Sequence, residues 1–168
     1  ANLDITALTN DLPAPALPPL TDTFDLLVTG VGGTGVVTVG ALITMAAHIE
    51  GKGSSVLDFT GFAQKFGPVL SYIRIAEEPG ALNQVRIDEE RADALIGCDL
   101  VVAAGDEALS KLTPGKSVAV TDTTVVPTSE FSQNPDWQLS GTEQAERLTR
   151  VLGDDAVALD AQTIAERV

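Results

Sequence analysis

The stretch Gly30-Val31-Gly32-Gly33-Thr34-Gly35 constrains this chain most, because it joins the apolar run Phe24-Asp25-Leu26-Leu27-Val28 to the apolar segment Val36 to Ile49. A short apolar run, a cluster of glycines and a longer apolar segment read together as a strand turning tightly into a helix. Such a turn leaves backbone N–H groups free at the positive end of a helix dipole, without side chains in the way. It is a cradle for phosphate or another anion. The same glycines also suit a tight turn with close helix packing, so the loop alone names no ligand.

Short apolar runs alternate with helix-like stretches along the chain: Phe24 to Thr29, Val36 to Ile49, Ser55 to Phe59, and later Asp99 to Ala104 and Ser117 to Thr121. The pattern predicts an α/β protein, a Rossmann-like three-layer open sheet that is mostly parallel. Val69 to Ile75 is rich in β-formers, and Leu82 to Ile87 can pair with it after the Pro79-Gly80 turn, which adds an inserted β-hairpin. Asp88 is placed to cap a helix from Glu89 to Ile96, and Asp106 a short helix to Leu112. Ser140 with Glu143 fits a capping box before Gln144 to Leu152. Thr128 to Leu139 reads as a long surface loop.

The length of 168 residues, 44% of them hydrophobic, suits one domain with a proper core. Residues 1–22 carry Pro13, Pro15, Pro18 and Pro19 and read as a Pro-rich linker, with the folded domain at residues 23–168. Ala161, Ile164, Ala165 and Val168 have helical spacing but no stop signal follows, and the first residue is Ala1. A fragment of a longer polypeptide, or a processed one, is therefore expected.

The formal net charge of −14 opposes nonspecific attraction to nucleic acid or anionic membranes, so neither is expected as a partner. There is no basic segment followed by a signal-like apolar region, and no uncharged apolar run reaches the roughly 18 residues of a membrane span, which points to a cytoplasmic chain. Cys98 is the single cysteine. It rules out an internal disulfide and any cluster or zinc site built from several thiolates of this chain, and its apolar flanks suggest a buried thiol. His48 reads as a polar residue at a helix C-terminus, favoured there by the dipole.

Gly30, Gly32 and Gly35 satisfy G-x-G-x-x-G, and Asp58 falls near the end of the second strand, where a ribose ligand would sit, so dinucleotide binding is one reading. Against it, Asp58 is followed by Thr60-Gly61-Phe62-Ala63-Gln64-Lys65-Phe66-Gly67-Pro68, a polar glycine-containing loop that leads into a strand. Phosphoryl transfer is excluded more firmly: Gly30 and Gly35 have the outer spacing of a P-loop, but Val36 and Val37 stand where Lys and Ser/Thr are required. The following helix is rich in small residues, Gly40, Ala41, Ala46 and Ala47, suited to close packing on a sheet or a neighbouring subunit.

Three segments taken together, the glycine stretch from Gly30 to Gly40, Ala46-Ala47-His48-Ile49-Glu50-Gly51-Lys52-Gly53, and Gly61 to Ile75 with its Ala63-Gln64-Lys65 loop, resemble the gamma-type domain of 2-oxoacid:ferredoxin oxidoreductases. The resemblance is closest to indolepyruvate ferredoxin oxidoreductase and its large fused relatives, and is strongest over residues 24–76. Phe66 departs from it, standing where the family usually has a second glycine.

The resemblance implies oxidative decarboxylation of a 2-oxoacid such as an arylpyruvate, with coenzyme A accepting the acyl group and ferredoxin the electrons. Thiamine diphosphate, magnesium and iron–sulfur clusters are then expected on partner domains or subunits, no catalytic or metal-ligating residue on this chain, and an oligomeric assembly in which the isolated chain is inactive. What this chain would supply is a wall of the active site and part of the coenzyme A approach. Gly30, Gly32, Gly33, Thr34 and Gly35 would offer backbone amides, Gln64 an amide side chain, Lys65 a charge, and Arg74 a carboxylate or phosphate contact. Two other readings stay open: a standalone NAD- or FAD-binding oxidoreductase domain, and a noncatalytic assembly domain whose glycine turn only packs.

Overall fold

A computed structural model describes residue 13 and residues 19–60, 67–126 and 140–167. The first strand, β1 (Phe24–Val31), is almost wholly buried because its alternate side chains enter two different cores. Leu26 and Val28 face helix α1 (Val36–Ile49), while Leu27 faces the opposite side of the sheet. β2 (Gly53–Thr60) and β3 (Pro68–Ala76) follow, then β4 (Ala94–Gly97), helices α2 (Leu100–Ala103) and α3 (Asp106–Leu109), and β5 (Val118–Asp122). Helix α4 (Gly141–Leu152), β6 (Ala156–Leu159) and helix α5 (Ala161–Arg167) complete the described order.

The six strands lie in the order β2-β3-β1-β4-β5-β6. β1, β4, β5 and β6 are mutually parallel, and β3 runs antiparallel between β1 and β2. The core on one face joins Val36, Val39 and Ile43 of α1 to Val69 and Ile73 of β3. The core on the other gathers Leu70, Tyr72 and Leu95 of the sheet under Leu100, Ala103, Leu148 and Leu152 of α2 and α4. The three-layer, mostly parallel α/β sheet expected from the sequence is present.

The hairpin is present as well, with a different partner. β3 pairs with β2, Thr60 opposite Val69 and Gly53 opposite Ala76, and its other edge is taken by β1, so no edge remains for Leu82 to Ile87. That segment carries no strand; it is held instead by Arg74, whose Nη1 donates to the Gln84 carbonyl at 3.2 Å, and by the fully buried Ile87.

Three further expectations are corrected. The helix expected from Glu89 to Ile96 is absent: Glu90 takes a left-handed φ of 56°, and Asp93 binds β1 through both its backbone N–H (2.7 Å to the Asp25 carbonyl) and its carboxylate, which accepts the Asp25 N–H at 2.8 Å. Pairing with β1 outweighs local helix propensity and makes Ala94–Gly97 a central strand. Conversely, the apolar run from Asp99 is helical, because Asp99 caps α2 by accepting from Val101 N (2.8 Å) and Val102 N (2.9 Å). Asp106 is the first residue of α3 with Gly105 as the cap, and its carboxylate pairs with Arg147. At α4 the expected Ser140 cap holds, accepting the Glu143 N–H at 3.3 Å. The loop from Thr128 to Leu139, and residues 1–12 and 14–18 of the expected linker, lie outside the described residues.

Arg74 is buried on β3 and forms a two-point ion pair with the equally buried Asp25 across the β1–β3 register, Nε to Oδ1 at 2.7 Å and Nη2 to Oδ2 at 3.2 Å. Its Nη2 also donates to Thr23 Oγ1 at 3.0 Å. Removing one member of such a pair strands the other charge in the interior. Arg74→Met is expected to lower stability by about 3–5 kcal/mol, read from urea unfolding midpoints.

Candidate functional site

The carboxyl ends of β1 and β4 lie side by side, where open α/β sheets hold their ligands. From the end of β1 the chain turns through Gly32 to Gly35 into α1. Thr34 closes the turn by donating its N–H (3.0 Å) and its Oγ1 hydrogen (2.8 Å) to the Val31 carbonyl. Gly33 and Gly35 hold φ of 105° and 90°, the left-handed region that a Cβ disfavours, and Gly35 is the residue from which α1 starts. At Gly30 the requirement is close approach instead: a Cβ there would collide with Thr34 Oγ1 and lie 2.7 Å from Val36 Cγ2.

Two bonds clamp the elbow. On one side Gly32 N donates to the Gly67 carbonyl at 2.9 Å; on the other Val31 N donates to Asp99 Oδ2 at 2.6 Å. Between these clamps the N–H groups of Gly33, Gly35, Val36, Val37 and Thr38 donate to no acceptor among the described residues. They border an open groove lined by Val31, Gly33, Gly35, Thr38 and Val69. Unpartnered amides at the start of a helix of 14 residues can take the oxygens of a phosphate or carboxylate.

The structure places Gly30, Gly32, Gly33, Thr34 and Gly35 together and Arg74 apart from them. Arg74 faces Asp25 near the start of β1, at the end of the strand remote from the elbow, and its guanidinium is committed to Asp25, Thr23 and Gln84. Gln64 and Lys65 lie outside the described residues. The ends of their segment are described: Thr60 lies opposite Val69, and Gly67 bonds Gly32, so both anchors sit at the elbow's end of the sheet.

Asp58, the expected ribose ligand, stands on β2, which is parallel to β1 but separated from it by β3. Two strand spacings, about 10 Å, therefore lie between β1 and β2, and the Asp58 carboxylate accepts the Ser71 hydroxyl. The geometry of a dinucleotide fold, with the acidic residue on the strand beside the glycine turn, is absent here.

Asp99 is the residue that sequence reasoning missed. It is fully buried yet accepts three backbone N–H bonds, from Val31, Val101 and Val102, and so fixes the elbow to β4 and α2 at once. Its signal was available as an Asp directly before an apolar run that starts a helix. Burial pushes its carboxyl above the ordinary 3.8, against the opposing pull of the three amides. Burial, then the Asp99 and Asp122 charges, push the neighbouring Cys98 thiol up as well. That keeps it protonated and a poor nucleophile, in line with the expected buried thiol, here half-buried against the α1-side core. His48 is exposed in the last turn of α1, as expected.

No group of three or more His, Cys, Asp or Glu side chains among the described residues is arranged to hold a metal ion. No helix among them is long and apolar enough to cross a membrane.

A glycine elbow at the ends of parallel strands, flanked by an antiparallel insertion, defines an α/β module whose geometry differs from the dinucleotide-binding type. The chain belongs to the pyruvate ferredoxin/flavodoxin oxidoreductase family, whose model matches residues 25–168. It is 33% identical over 81 residues to the indolepyruvate oxidoreductase subunit IorB of Thermococcus kodakarensis, an alignment covering 48% of this chain and 38% of that protein. The same subunit of Pyrococcus horikoshii is 32% identical over the same length and coverage. The match thus spans under half the length of these curated relatives. Among solved structures, the fold is similar to pyruvate oxidoreductase subunit PORC of Thermotoga maritima, with a TM-score of 0.57 and 16% identity over 88% of this chain and 67% of that one. It is also similar to 2-oxoglutarate:ferredoxin oxidoreductase of Magnetococcus marinus, solved with 2-oxoglutarate, coenzyme A and succinyl-CoA bound, with a TM-score of 0.58 and 16% identity over 88% of this chain and 21% of that one.

The folded state holds the Asp99 proton to higher pH than the unfolded chain does, so it binds more protons in the interval above 3.8, and stability falls as pH rises through that interval. Asp99→Asn removes this titration and turns one acceptor oxygen into a donor facing the Val31 N–H. Urea midpoints of the two proteins from about pH 4 upward should show the extra decline in the unsubstituted chain alone. The variant should be less stable by about 1–3 kcal/mol at the acidic end, from the lost bond to Val31.

Proposed function

We propose that this chain is the gamma-type part of a thiamine-diphosphate-dependent 2-oxoacid:ferredoxin oxidoreductase. The complex converts indolepyruvate or another arylpyruvate, with coenzyme A and two oxidised ferredoxins, to the acyl-CoA, carbon dioxide, a proton and two reduced ferredoxins. The observation that carries the reading is the set of amides at Gly33, Gly35, Val36, Val37 and Thr38, unpartnered among the described residues, at the strand ends of a chain of this family. The arylpyruvate assignment is supported by the IorB relatives, and the coenzyme A assignment by the ligands of the Magnetococcus enzyme, about a fifth of whose chain this fold resembles.

Thiamine diphosphate supplies the carbanion chemistry in this reaction and belongs, with its magnesium and the iron–sulfur clusters, to other domains or subunits. With one cysteine this chain does not fit a cluster. Its own task is to bind and orient. The amides of Gly33, Gly35, Val36, Val37 and Thr38 receive phosphate oxygens of coenzyme A, and the α1 dipole favours their charge. Gln64 and Lys65, in the segment between Thr60 and Gly67, would add an amide and a positive charge to the same ligand. The Asp99 and Gly67 clamps keep the amides in place without a rearrangement at binding.

Calorimetric titration of the assembled oxidoreductase with coenzyme A tests the reading, since substitutions at the elbow act on one subsite. Thr38→Glu sets a carboxylate over the free amides; it suits the helix start but competes with the ligand, and should weaken coenzyme A binding about tenfold while α1 stays folded. Lys65→Ala should weaken it to a similar extent. NAD and FAD should not bind, because the Asp58 of a dinucleotide site lies one strand too far away. Tight dinucleotide binding, or coenzyme A binding indifferent to both substitutions, would refute the assignment.

A further inference from the structure

We infer that the cavity between α4 and the strands β5 and β6 is a binding site for ordered water, held by the hydroxyls of Thr121 and Thr149, which ties α4 to the edge of the sheet. The sequence makes room there with alanines: Ala119 of β5, Ala145 of α4, and Ala156 and Ala158 of β6 line a half-closed space of about 30 Å³. A water molecule needs about 10–15 Å³ of such space, whereas small-molecule sites are far larger, so size restricts the occupant to one or two waters. No charged side chain lines the cavity, so the occupant is neutral.

The polar partners are specific. Along β5 the buried Ala119 and Thr121 alternate with the exposed Val118 and Val120, and Ala119 belongs to the core under α4, so Thr121 faces that helix too. Thr121 is 2% exposed, and its Oγ1 has no hydrogen-bond partner among the described residues. Neither cross-strand neighbour supplies one. Gly97 of β4 has no side chain, and it meets the methyl of Thr121: a Cβ built at Gly97 would lie 2.7 Å from Thr121 Cγ2 and 3.0 Å from its Cβ. Ala158 of β6 offers only a methyl. A buried hydroxyl left in this state costs about 1–3 kcal/mol, which a water in the adjoining cavity removes. On the α4 side, Thr149 lines the same cavity and is exposed to solvent. Its Oγ1 spends its one hydrogen on the Ala145 carbonyl at 3.0 Å and is left with lone pairs that can only accept. Water meets both needs at once, donating to Thr149 while accepting from Thr121. Leu100, the first residue of α2 and the neighbour of Asp99, also lines the cavity, so the bound water backs α2 as well.

Water–protein NOE and ROE spectra of the isotopically labelled chain test this. Cross-peaks from water to the methyls of Ala145 and Ala156 are expected with opposite signs in the two spectra, the mark of water held longer than surface hydration. Thr121→Val keeps the shape of the side chain and removes its hydroxyl, and the cross-peaks should be lost; Thr121→Ser keeps the hydroxyl and should retain them. Should valine disturb folding, the unsubstituted chain and Thr121→Ser decide the matter. A cavity without water would take up xenon instead. Absence of the cross-peaks from the unsubstituted chain or from Thr121→Ser, their persistence in a folded Thr121→Val, or xenon-induced shifts at the same methyls in the unsubstituted chain would overturn the inference.

Discussion

The bond from Val31 N–H to the Asp99 carboxylate carries the architecture of the site. β1 pairs with β4 only as far as Thr29 opposite Gly97, after which the Cys98 N–H reaches back to the Thr29 carbonyl at 2.7 Å. The next β1 amide on that side would be a buried donor without a partner, and Asp99 supplies one while also starting α2. On the other side Gly67 does the same for Gly32. Because the amides at the base of the elbow are consumed by these clamps, those at its rim are held outward and open.

The position of β3 separates this module from the dinucleotide-binding geometry. Inserted antiparallel between β1 and β2, it removes the acidic strand end from the reach of a nucleotide bound at the glycines. In exchange it sets Thr60 and Gly67 at the elbow's end of the sheet. An anion at the elbow, as proposed, would be attracted by local amides and a helix dipole against the field of an acidic chain. Discrimination would then come from short-range hydrogen bonds, whose geometry the two clamps fix.

Much of this was legible in the sequence, and the reasons for the rest are physical. β1, α1, β2, β5 and the Ser140 cap were readable because periodicity and capping chemistry are local. Ala94–Gly97 was not, because its acidic, helix-favouring approach is overruled by the contact of Asp93 with β1. Asp99 to Ala104 was misread because an apolar run of that length fits a strand or a buried helix equally well. The partner of β3 depends on a long-range choice between two candidate edges. Arg74 looked available as a ligand because nothing in its neighbourhood reveals that Asp25, forty-nine positions away, claims it.

If the elbow amides bind an anion, their chemical shifts report it directly. On adding coenzyme A to the isotopically labelled chain, the largest changes are expected at Gly33, Gly35, Val36, Val37 and Thr38, with Val31 and Gly32 little moved because their bonds to Asp99 and Gly67 persist. Saturable changes centred elsewhere on the sheet, with these five amides silent, would contradict it.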